Sequence, residues 1–521
     1  MRNYFLFWVL LITTSLSAQL NKPNAVIAVV VDQMKYEYVY RFWDEYGEDG
    51  FKKLHEKGVF CRNTHYNYIP TYTGPGHASI FTGTTPSVHG IIGNSWYTRD
   101  SLKPVYCAGD WKAQTLCLCQ QPHDNINRGD GNMSPRNLLS TTIGDQLKTV
   151  DSLSKVFGVS LKDRGAILSA GISADGAFWM NSKGDWITST FYNSKFPMWI
   201  KEFSDVKSVE SYMNGIWEGS SFSLNLQEMY QKIGPSAIKS TPKGNQILWD
   251  FSKELIHQEG IGKDTHTDLF IVSYSATDYV GHQYGPDAEQ TKSMYIKLDE
   301  ILAQMLSYFD QSIGKGKYTL MLTADHGAGT SPDVLNKRKL NGGHFSSREL
   351  LAEVNQYLLK TLGSSSLISR EINMQYYLNF SVMDSLRISY NQVYTQVKYF
   401  LEKKEFIHSV YNKENVAKGL LSNEKSMLIK GIHPKRSGDI FLVLSPGYLE
   451  WSKTTGTAHA THYNYDTHVP LFFYGKGVNK NKCIDKRIQI TDIAPTLSLL
   501  MKTSFPSGCT GNPIKGVMCE N

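Results

Sequence analysis

Three apolar runs, far apart in the chain, each lead within a few residues to an aspartate. The runs and their aspartates are Ala25–Val31 with Asp32, residues 268–273 with Asp278, and Tyr318–Thr323 with Asp325. Such uninterrupted apolar runs predict strands that are buried on both faces of a parallel sheet. Because ligands of open α/β sheets bind at the carboxyl ends of the strands, the three carboxylates are expected to meet at one site.

Histidines accompany these aspartates. His282 follows Asp278 by four residues, and His326 follows Asp325 directly. Asp and His side chains are the natural ligands of Zn²⁺ where cysteine is absent. A single aspartate at a strand end is most often a turn or cap residue, but three such ends with two adjacent histidines indicate a metal site. A further histidine, His459, lies in the turn-like stretch 455–459.

A hydroxyl residue, Thr73, stands directly before a Gly-Pro-Gly turn, and residues 77–82 can begin a helix. The start of a helix offers unpaired N–H groups and the positive end of a dipole, which suits a phosphate. A threonine hydroxyl needs activation before it can attack. Two metal ions about 4 Å apart can activate an attacking oxygen and stabilise a leaving oxygen. The pattern predicts attack by Thr73 on a phosphate or sulfate ester; Thr71 is a rival further from the turn.

Strands and helices alternate along the chain, which predicts a layered α/β architecture. Helices are predicted at residues 36–57, 143–153, 247–258, 287–309 and 491–501, strands also at 156–161 and 468–474, and a hairpin at 178–191. The 521 residues exceed one minimal domain, so one large domain with insertions or two domains are expected. Insertions are predicted at about 84–140, 197–242 and 347–450, the last as a cap or subdomain.

The N-terminus has the pattern of a signal peptide over residues 1–18. Arg2 is followed by an apolar run at 4–12 and by small residues before Gln19. The apolar run is too short to span a membrane comfortably, and the residue at the predicted cut is not the cysteine of a lipoprotein anchor. We expect export, to the periplasm or as a secreted protein, with no membrane anchor after signal cleavage.

The composition is that of a globular protein, with 20% charged residues and a formal net charge of +6. This charge is small for the length, so no nucleic-acid-binding module is predicted. The seven cysteines leave at least one thiol unpaired within the chain, and their pairing stays open. The Cys117-Leu118-Cys119 spacing does not suit a zinc knuckle. The oligomeric state is not predicted.

The order and spacing of these residues resemble the alkaline phosphatase superfamily. The residues that carry the resemblance are Asp32, Thr73 before Gly-Pro-Gly-His, the run Asp-Tyr-Val-Gly-His-Gln-Tyr-Gly-Pro at 278–286, Ala-Asp-His-Gly at 324–327, and His459. The arrangement is similar to that of the nucleotide pyrophosphatase/phosphodiesterase branch. More narrowly, it resembles the phosphate-irrepressible (PafA-like) alkaline phosphatases of bacteria.

The resemblance implies two zinc ions per chain. Their implied ligands are Asp278, His282 and His459 for one ion, and Asp32, Asp325 and His326 for the other, with Thr73 as its reacting ligand. Members of the family have glycine after the late histidine, whereas this chain has Ala460 and then Thr461-His462. His462 therefore remains a rival to His459, and His468 a weaker one.

The resemblance also implies a substrate-binding set of Asn94, Lys162 and Arg164. Asn94 matches a position that donates to a phosphoryl oxygen, and the two cations match a pair that marks the monoesterase members. A phosphate monoester carries an additional charge on its non-bridging oxygens, which cationic donors can stabilise in the transition state. On an extended segment, residues 162 and 164 would face the same side. The alternative to a substrate-binding role is that both are solvated surface cations.

Together these features imply an α/β/α alkaline-phosphatase-like fold over residues 19–521, with a mostly parallel sheet. The implied activity is zinc-dependent hydrolysis of small phosphate monoesters through phosphothreonine at Thr73. A phosphodiesterase or nucleotide pyrophosphatase is the alternative, which Lys162 and Arg164 disfavour. A sulfatase would need a Cys or Ser nucleophile in a Cys/Ser-x-Pro-x-Arg setting. A non-catalytic phosphate- or metal-binding protein is disfavoured by the complete set of site residues.

Overall fold

The computed structural model describes residues 22–117, 131–417, 422–451 and 455–519. The predicted signal peptide at 1–18 and Cys119 lie outside these residues. Within them, Cys117 is disulfide-bonded, and the other five cysteines are free thiols. None of the helices in the described ranges is long and apolar enough to cross a membrane.

A ten-stranded sheet forms the centre of the molecule. From edge to edge its strands are Lys482–Ile484, Val59–Cys61, Leu471–Gly475, Tyr318–Thr323, Ala25–Val31, Asp268–Tyr274, Val156–Ser160, Gly176–Met180, Trp186–Ser189 and Thr115–Leu116. The five strands from Tyr318–Thr323 to Gly176–Met180 are parallel to one another. Every residue of these five strands is buried, so both faces of the sheet are covered. The predicted layered fold with a mostly parallel sheet is confirmed.

The register of the parallel strands brings their carboxyl ends level. Val31 is paired with Tyr274, and Val30 lies opposite Thr323 on the other side. Ser160 pairs with Ser273 in the same way. The residues that follow these four strands therefore emerge at one edge of the sheet, as the sequence predicts.

Helices cover the sheet and connect its strands. The α-helices are Tyr38–Arg41, Phe51–Lys57, Thr73–Thr82, Pro86–His89, Ile143–Val150, Asp163–Ala170, Met198–Val206, Val209–Tyr212, Leu226–Ile233, Pro242–Glu259, Ala276–Tyr284, Glu289–Phe309, Pro332–Lys337, Ser347–Leu362, Phe380–Leu386, Tyr390–Leu401, Lys413–Ala417, Asn423–Gly431, Asn464–Thr467 and Ile493–Met501. The single helix predicted at 36–57 is wrong, because two short helices and a 3-10 turn occupy it. The helix predicted to begin near residue 77 begins at Thr73. The stretch predicted as an insertion at 197–242 contains three helices, a hairpin and a 3-10 helix.

Residues 347–450 are called the cap. A second, antiparallel sheet lies within them. Its strands, in order, are Ile368–Ile372, Gln375–Leu378, Ile440–Leu444 and Ile407–Asn412. It has a hydrophobic cluster of its own, built with residues such as Val354 and Val397 from two flanking helices. This separate core means that the cap packs largely on itself, and it contacts the rest of the molecule at the helix Pro86–His89 and the strand Ser95–Thr98.

Short strands complete the fold. They are the hairpins Ser95–Thr98 with Lys103–Tyr106 and Ile216–Gly219 with Phe222–Asn225, the parallel pair Gly343–Phe345 with Tyr448–Glu450, and a three-stranded sheet of His468–Val469, Thr64–His65 and Ile488–Gln489. The hairpin predicted at 178–191 is confirmed by the antiparallel strands Gly176–Met180 and Trp186–Ser189.

Candidate active site

The first ligand cluster combines Asp278, His282 and His459. Asp278 and His282 are four residues apart on the helix Ala276–Tyr284, so they share one face of it. His282 Nε2 lies 3.1 Å from Asp278 Oδ1, and His459 Nε2 lies 4.0 Å from the same oxygen. One ligand atom from each residue falls within 4.8 Å of the other two, which suits a single metal ion.

The second ligand cluster combines Asp32, Asp325 and His326, all of them fully buried. His326 Nε2 lies 3.5 Å from Asp32 Oδ1 and 3.6 Å from Asp325 Oδ2. These three atoms are buried and find no hydrogen-bond partner among the described residues. Leaving a buried polar atom unsatisfied costs about 1–3 kcal/mol, and more for a charged group. A divalent cation would satisfy all three, so the residues fit a metal ion.

Each of the three histidines is oriented by a backbone carbonyl. The Nδ1–H groups of His282, His326 and His459 donate to the carbonyl oxygens of Thr457, Gly327 and Thr71, at 2.7, 2.9 and 2.6 Å. This contact places the proton on Nδ1 and leaves the lone pair of Nε2 directed into the clusters. Metal-binding histidines are held in the same way by a second partner.

The two clusters adjoin. The rings of His326 and His459 stack with their centroids 3.5 Å apart. One ligand atom from each of Asp32, Asp278 and His326 falls within 4.8 Å of the other two, so Asp278 could contribute to either metal ion. Gln33 bridges the clusters, because its backbone N–H donates to Asp325 at 3.1 Å and its side-chain amide to Asp278 at 2.6 Å. The sequence analysis missed Gln33, and its position directly after Asp32 was the one available signal.

The charges of the site are unbalanced without cations. Burial and the nearby carboxylate of Asp32 raise the pKa of Asp325 well above its usual value. Burial also opposes ionisation of Asp278, but the positive charges of His282 and Lys162 outweigh it and hold the pKa of that carboxyl well below its usual range. The positive charge of Lys162 therefore does not balance the carboxylates of the second cluster, and divalent metal ions would supply the remaining charge.

Thr73 is the first residue of its helix and is buried, and His77 links it to the second cluster. The Nδ1–H of His77 donates to the Thr73 carbonyl at 2.9 Å, and the same nitrogen lies 3.5 Å from Asp325 Oδ2. A Cβ atom at Gly76 would lie 2.4 Å from the Asp325 carbonyl oxygen, so only glycine permits this close approach. Asn94 is adjacent, since its Oδ1 accepts the Gly74 N–H at 2.8 Å.

Lys162 and Arg164 are not on an extended segment, so that prediction is wrong. Lys162 is the N-cap of the helix Asp163–Ala170, which packs against the helix that begins at Thr73. The Lys162 ammonium lies 2.6 Å from Asp32 Oδ2 and 2.5 Å from Asp278 Oδ2, between the two clusters. Arg164 Nη1 donates to the Tyr106 hydroxyl at 3.2 Å, and its buried Nε has no partner in the described part of the chain.

The rival site residues lie elsewhere or have other partners. The Thr71 hydroxyl donates to the Thr461 carbonyl. His462 lies outside both clusters, with its Nε2 3.6 Å from Glu424 in the cap. His468 lies beside Tyr36, with its ring centroid 4.0 Å from that of the tyrosine. The structure thus gathers His459, rather than His462 or His468, with Asp278 and His282.

A cavity of about 230 Å³ lies between the first cluster and the cap. Asn94, His282 and His459 line one side of it, and residues of the cap sheet such as Gln375 and Phe441 line the other. The cap also contacts the Asn94 loop directly, since the side-chain amide of Asn373 donates to the Ser95 carbonyl at 2.7 Å. The sequence analysis missed these cap residues, whose local pattern carries no chemical signal.

The chain matches the model of the type I phosphodiesterase / nucleotide pyrophosphatase family over residues 26–468. It is 36% identical to a protein of Myroides odoratus named calcium-transporting ATPase (96% of this chain, 95% of the relative). It is also 36% identical to alkaline phosphatase PafA of Elizabethkingia meningoseptica (99% and 98%). The crystal structure of wild-type alkaline phosphatase PafA superimposes with a TM-score of 0.88 at 35% identity, covering 96% of this chain and 99% of that one. Sequence and structure together place this chain in the type I phosphodiesterase / nucleotide pyrophosphatase family, among its alkaline-phosphatase-like members.

Proposed function

We propose that this protein is an exported, zinc-dependent alkaline phosphatase that hydrolyses small phosphate monoesters. The observation that carries the proposal is the convergence of three unsatisfied buried ligand atoms, on Asp32, Asp325 and His326, beside a second cluster and a threonine at a helix start. The likeness to alkaline phosphatase PafA over nearly the whole chain supports it.

Two zinc ions would be held by the two clusters, and when bound they would act as Lewis acids that activate the attacking oxygen and stabilise the leaving one. Thr73 Oγ attacks phosphorus, an O–P bond to Thr73 forms, and the bond to the leaving oxygen breaks. Water then attacks the phosphothreonine, which releases inorganic phosphate and restores the Thr73 hydroxyl. The N-terminal end of the Thr73 helix favours the phosphoryl charge throughout.

Asn94, Lys162 and Arg164 are proposed to bind the phosphoryl oxygens. Asn94 Oδ1 is engaged by the Gly74 N–H, which directs its amide group away from that turn. Lys162, between the clusters, contributes a fixed positive charge, and Arg164 offers the partnerless Nε. A diester lacks the second non-bridging charge that such cations stabilise. Phosphodiesterase or nucleotide pyrophosphatase activity remains the second candidate, because the family model carries that description.

We further propose that residues 19–521 form one catalytic domain with insertions at about 84–140, 197–242 and 347–450. The cap, with its own hydrophobic cluster, is the largest of these. Residues 1–18 would direct the protein to the periplasm or the medium and be removed, leaving no membrane anchor.

Acid-quenched turnover tests the proposal. The protein is mixed with an aryl phosphate monoester in zinc-containing buffer and quenched at low pH, and peptides that contain residue 73 are analysed by mass spectrometry. A phosphate on Thr73, absent from Thr73→Ala, is the expected result. Rapid ester hydrolysis that is unaffected by Thr73→Ala would refute the nucleophile, and absence of hydrolysis would refute the activity.

A further inference from the structure

The cavity beside the first cluster has an aromatic wall that begins at the metal ligands. The Trp451 ring stacks on the His282 imidazole with centroids 5.1 Å apart and planes 14° from parallel. Tyr72 packs edge-on against His459 with centroids 5.6 Å apart. Phe441 and Tyr448 extend the same lining into the cap. The volume of about 230 Å³ suits a small leaving group rather than a macromolecule.

One carboxylate, that of Glu450, stands on this wall. It is the sole Asp or Glu, and there is no Lys or Arg, among the described residues that line the cavity. Glu450 ends the strand Tyr448–Glu450, and the Ser347 hydroxyl donates to its Oε1. The strand and this hydrogen bond fix the position of the carboxylate. Ligand binding therefore does not have to restrict the motion of this side chain.

The charge of Glu450 acts on its surroundings. Burial, together with the negative charge of Glu450, raises the pKa of the neighbouring Glu371 to about 7. Glu450 and Glu371 are therefore close enough for their charges to interact. A second anion placed here is opposed, whereas a cation is favoured by the carboxylate and by the neighbouring aromatic rings.

We propose that this cavity receives the leaving group of the ester and selects leaving groups that carry an organic cation, the phosphate esters of amino or quaternary-ammonium alcohols. The inference rests on the proposed phosphomonoesterase activity. An organic cation fits the Tyr72, Trp451 and Glu450 surroundings in the way that aromatic rings and a carboxylate recognise ammonium groups. Esters whose leaving group is itself anionic are discriminated against by the same carboxylate.

A pair of matched esters tests this selection in the zinc-loaded protein. Phosphocholine and 3,3-dimethylbutyl phosphate have nearly the same shape, but only the first carries a positive charge on its leaving group. Cation–aromatic and carboxylate contacts in a partly desolvated site are worth roughly a 5- to 30-fold preference. We expect the ratio of kcat/KM for the cationic to the neutral ester to fall in Glu450→Gln by up to that factor, because the variant removes the carboxylate charge and leaves the aromatic rings.

Both esters are measured with the same protein sample. A loss of active protein through partial unfolding lowers both kcat/KM values equally and leaves their ratio unchanged. Glu402→Gln, at an exposed cap position paired with Lys398, is the matched control and should keep the wild-type ratio. An unchanged ratio in Glu450→Gln, with both esters still hydrolysed, would overturn the selection and leave the phosphatase proposal intact. Hydrolysis of neither ester by the wild-type protein would overturn both.

Discussion

The edge of the central sheet and the wall of the cap differ in how their polar groups are satisfied. At the sheet edge, Asp32, Asp325 and His326 are fully buried, and each has a ligand atom without a hydrogen-bond partner in the described part of the chain. In the cap, Glu450 accepts a hydrogen bond from the Ser347 hydroxyl, and Asn373 donates one to the Ser95 carbonyl. The sheet edge is thus suited to a ligand that these three residues do not supply, whereas Glu450 and Asn373 shape the space around that ligand. We expect substitutions at the edge to abolish chemistry and those in the cap to adjust recognition.

The largest effect is expected at Thr73. Thr73→Ala removes the proposed nucleophile and should lower kcat for an aryl phosphate by at least about 10³-fold, in line with losses of essential nucleophiles. Thr73→Ser retains a hydroxyl and is the matched control, which should keep much more of the activity. The measurement is steady-state kinetics under zinc saturation. Equal activities of Thr73→Ala and Thr73→Ser would contradict the role of the hydroxyl.

A second large effect is expected from Asp325, which tests the buried cluster. Asp325→Asn removes one negative ligand, and we expect the bound zinc to fall from two ions to about one per chain and kcat/KM to fall by about 100-fold or more. Metal content by mass spectrometry and activity are measured on the same sample. As a control, Asp299→Asn changes a buried aspartate that binds the Gly47 and Phe51 N–H groups, away from both clusters. Two retained zinc ions in Asp325→Asn would contradict the assignment.

A smaller effect is expected where the cap contacts the Asn94 loop. Asn373→Gly removes the hydrogen bond to the Ser95 carbonyl and tolerates the backbone φ of 59° at this position. One such bond is worth about 0.5–1.5 kcal/mol, so kcat/KM should fall by about 3- to 10-fold. In the double variant with Asn94→Ala the two losses should be less than additive, because Asn373 acts through that loop. Full additivity in this double-mutant cycle would show that Asn373 does not position Asn94.

The smallest effect on activity, but a measurable one on stability, is expected at Glu371. Burial and the charge of Glu450 raise its pKa from 4.5 to about 7 in the folded protein. Folding then binds a proton between these values, so this group stabilises the protein at low pH and its contribution is lost as the pH rises towards 7. Glu371→Gln keeps an acceptor for the Met374 N–H.

The stability of Glu371→Gln relative to wild type should therefore increase by roughly 1–3 kcal/mol between pH 4.5 and pH 8. Urea unfolding at the two pH values measures it. Glu402→Gln, on the exposed end of a cap helix, should show no such trend. A constant difference between Glu371→Gln and wild type would mean that the carboxyl ionises in the cap at its ordinary pKa.

The sheet edge could be predicted from the sequence because it depends on continuous apolar runs and on the residues that follow them directly. Seven buried residues in Ala25–Val31 make an unambiguous strand, and the position of Asp32 after it follows at once. The same holds for Tyr318–Thr323, whose predicted bounds agree with the structure. Hydrogen bonds and ion pairs between residues far apart in the sequence could not be predicted. Examples are Gln33 bridging the clusters and Lys162 between two carboxylates.

The contribution of the cap to the cavity could not be predicted from the sequence. Residues 347–450 alternate helix and strand without a motif, so their contribution to the cavity depends on how a separate sheet docks. Nothing near Glu450 in the sequence distinguishes it from the many solvated carboxylates. Only the folded chain shows that it faces the same cavity as His282 and His459.

The central claim is that the sheet edge performs phosphate monoester hydrolysis, and one ratio tests it most directly. We would measure kcat/KM of the zinc-loaded protein for an aryl phosphate monoester and for the matching diester at mildly alkaline pH, in wild type and in Lys162→Ala/Arg164→Ala. The account predicts a strong monoester preference that falls by about 10²-fold or more in the double variant, because the cations stabilise charge that the diester lacks. A wild-type preference for the diester would contradict it and assign the site to phosphodiester hydrolysis.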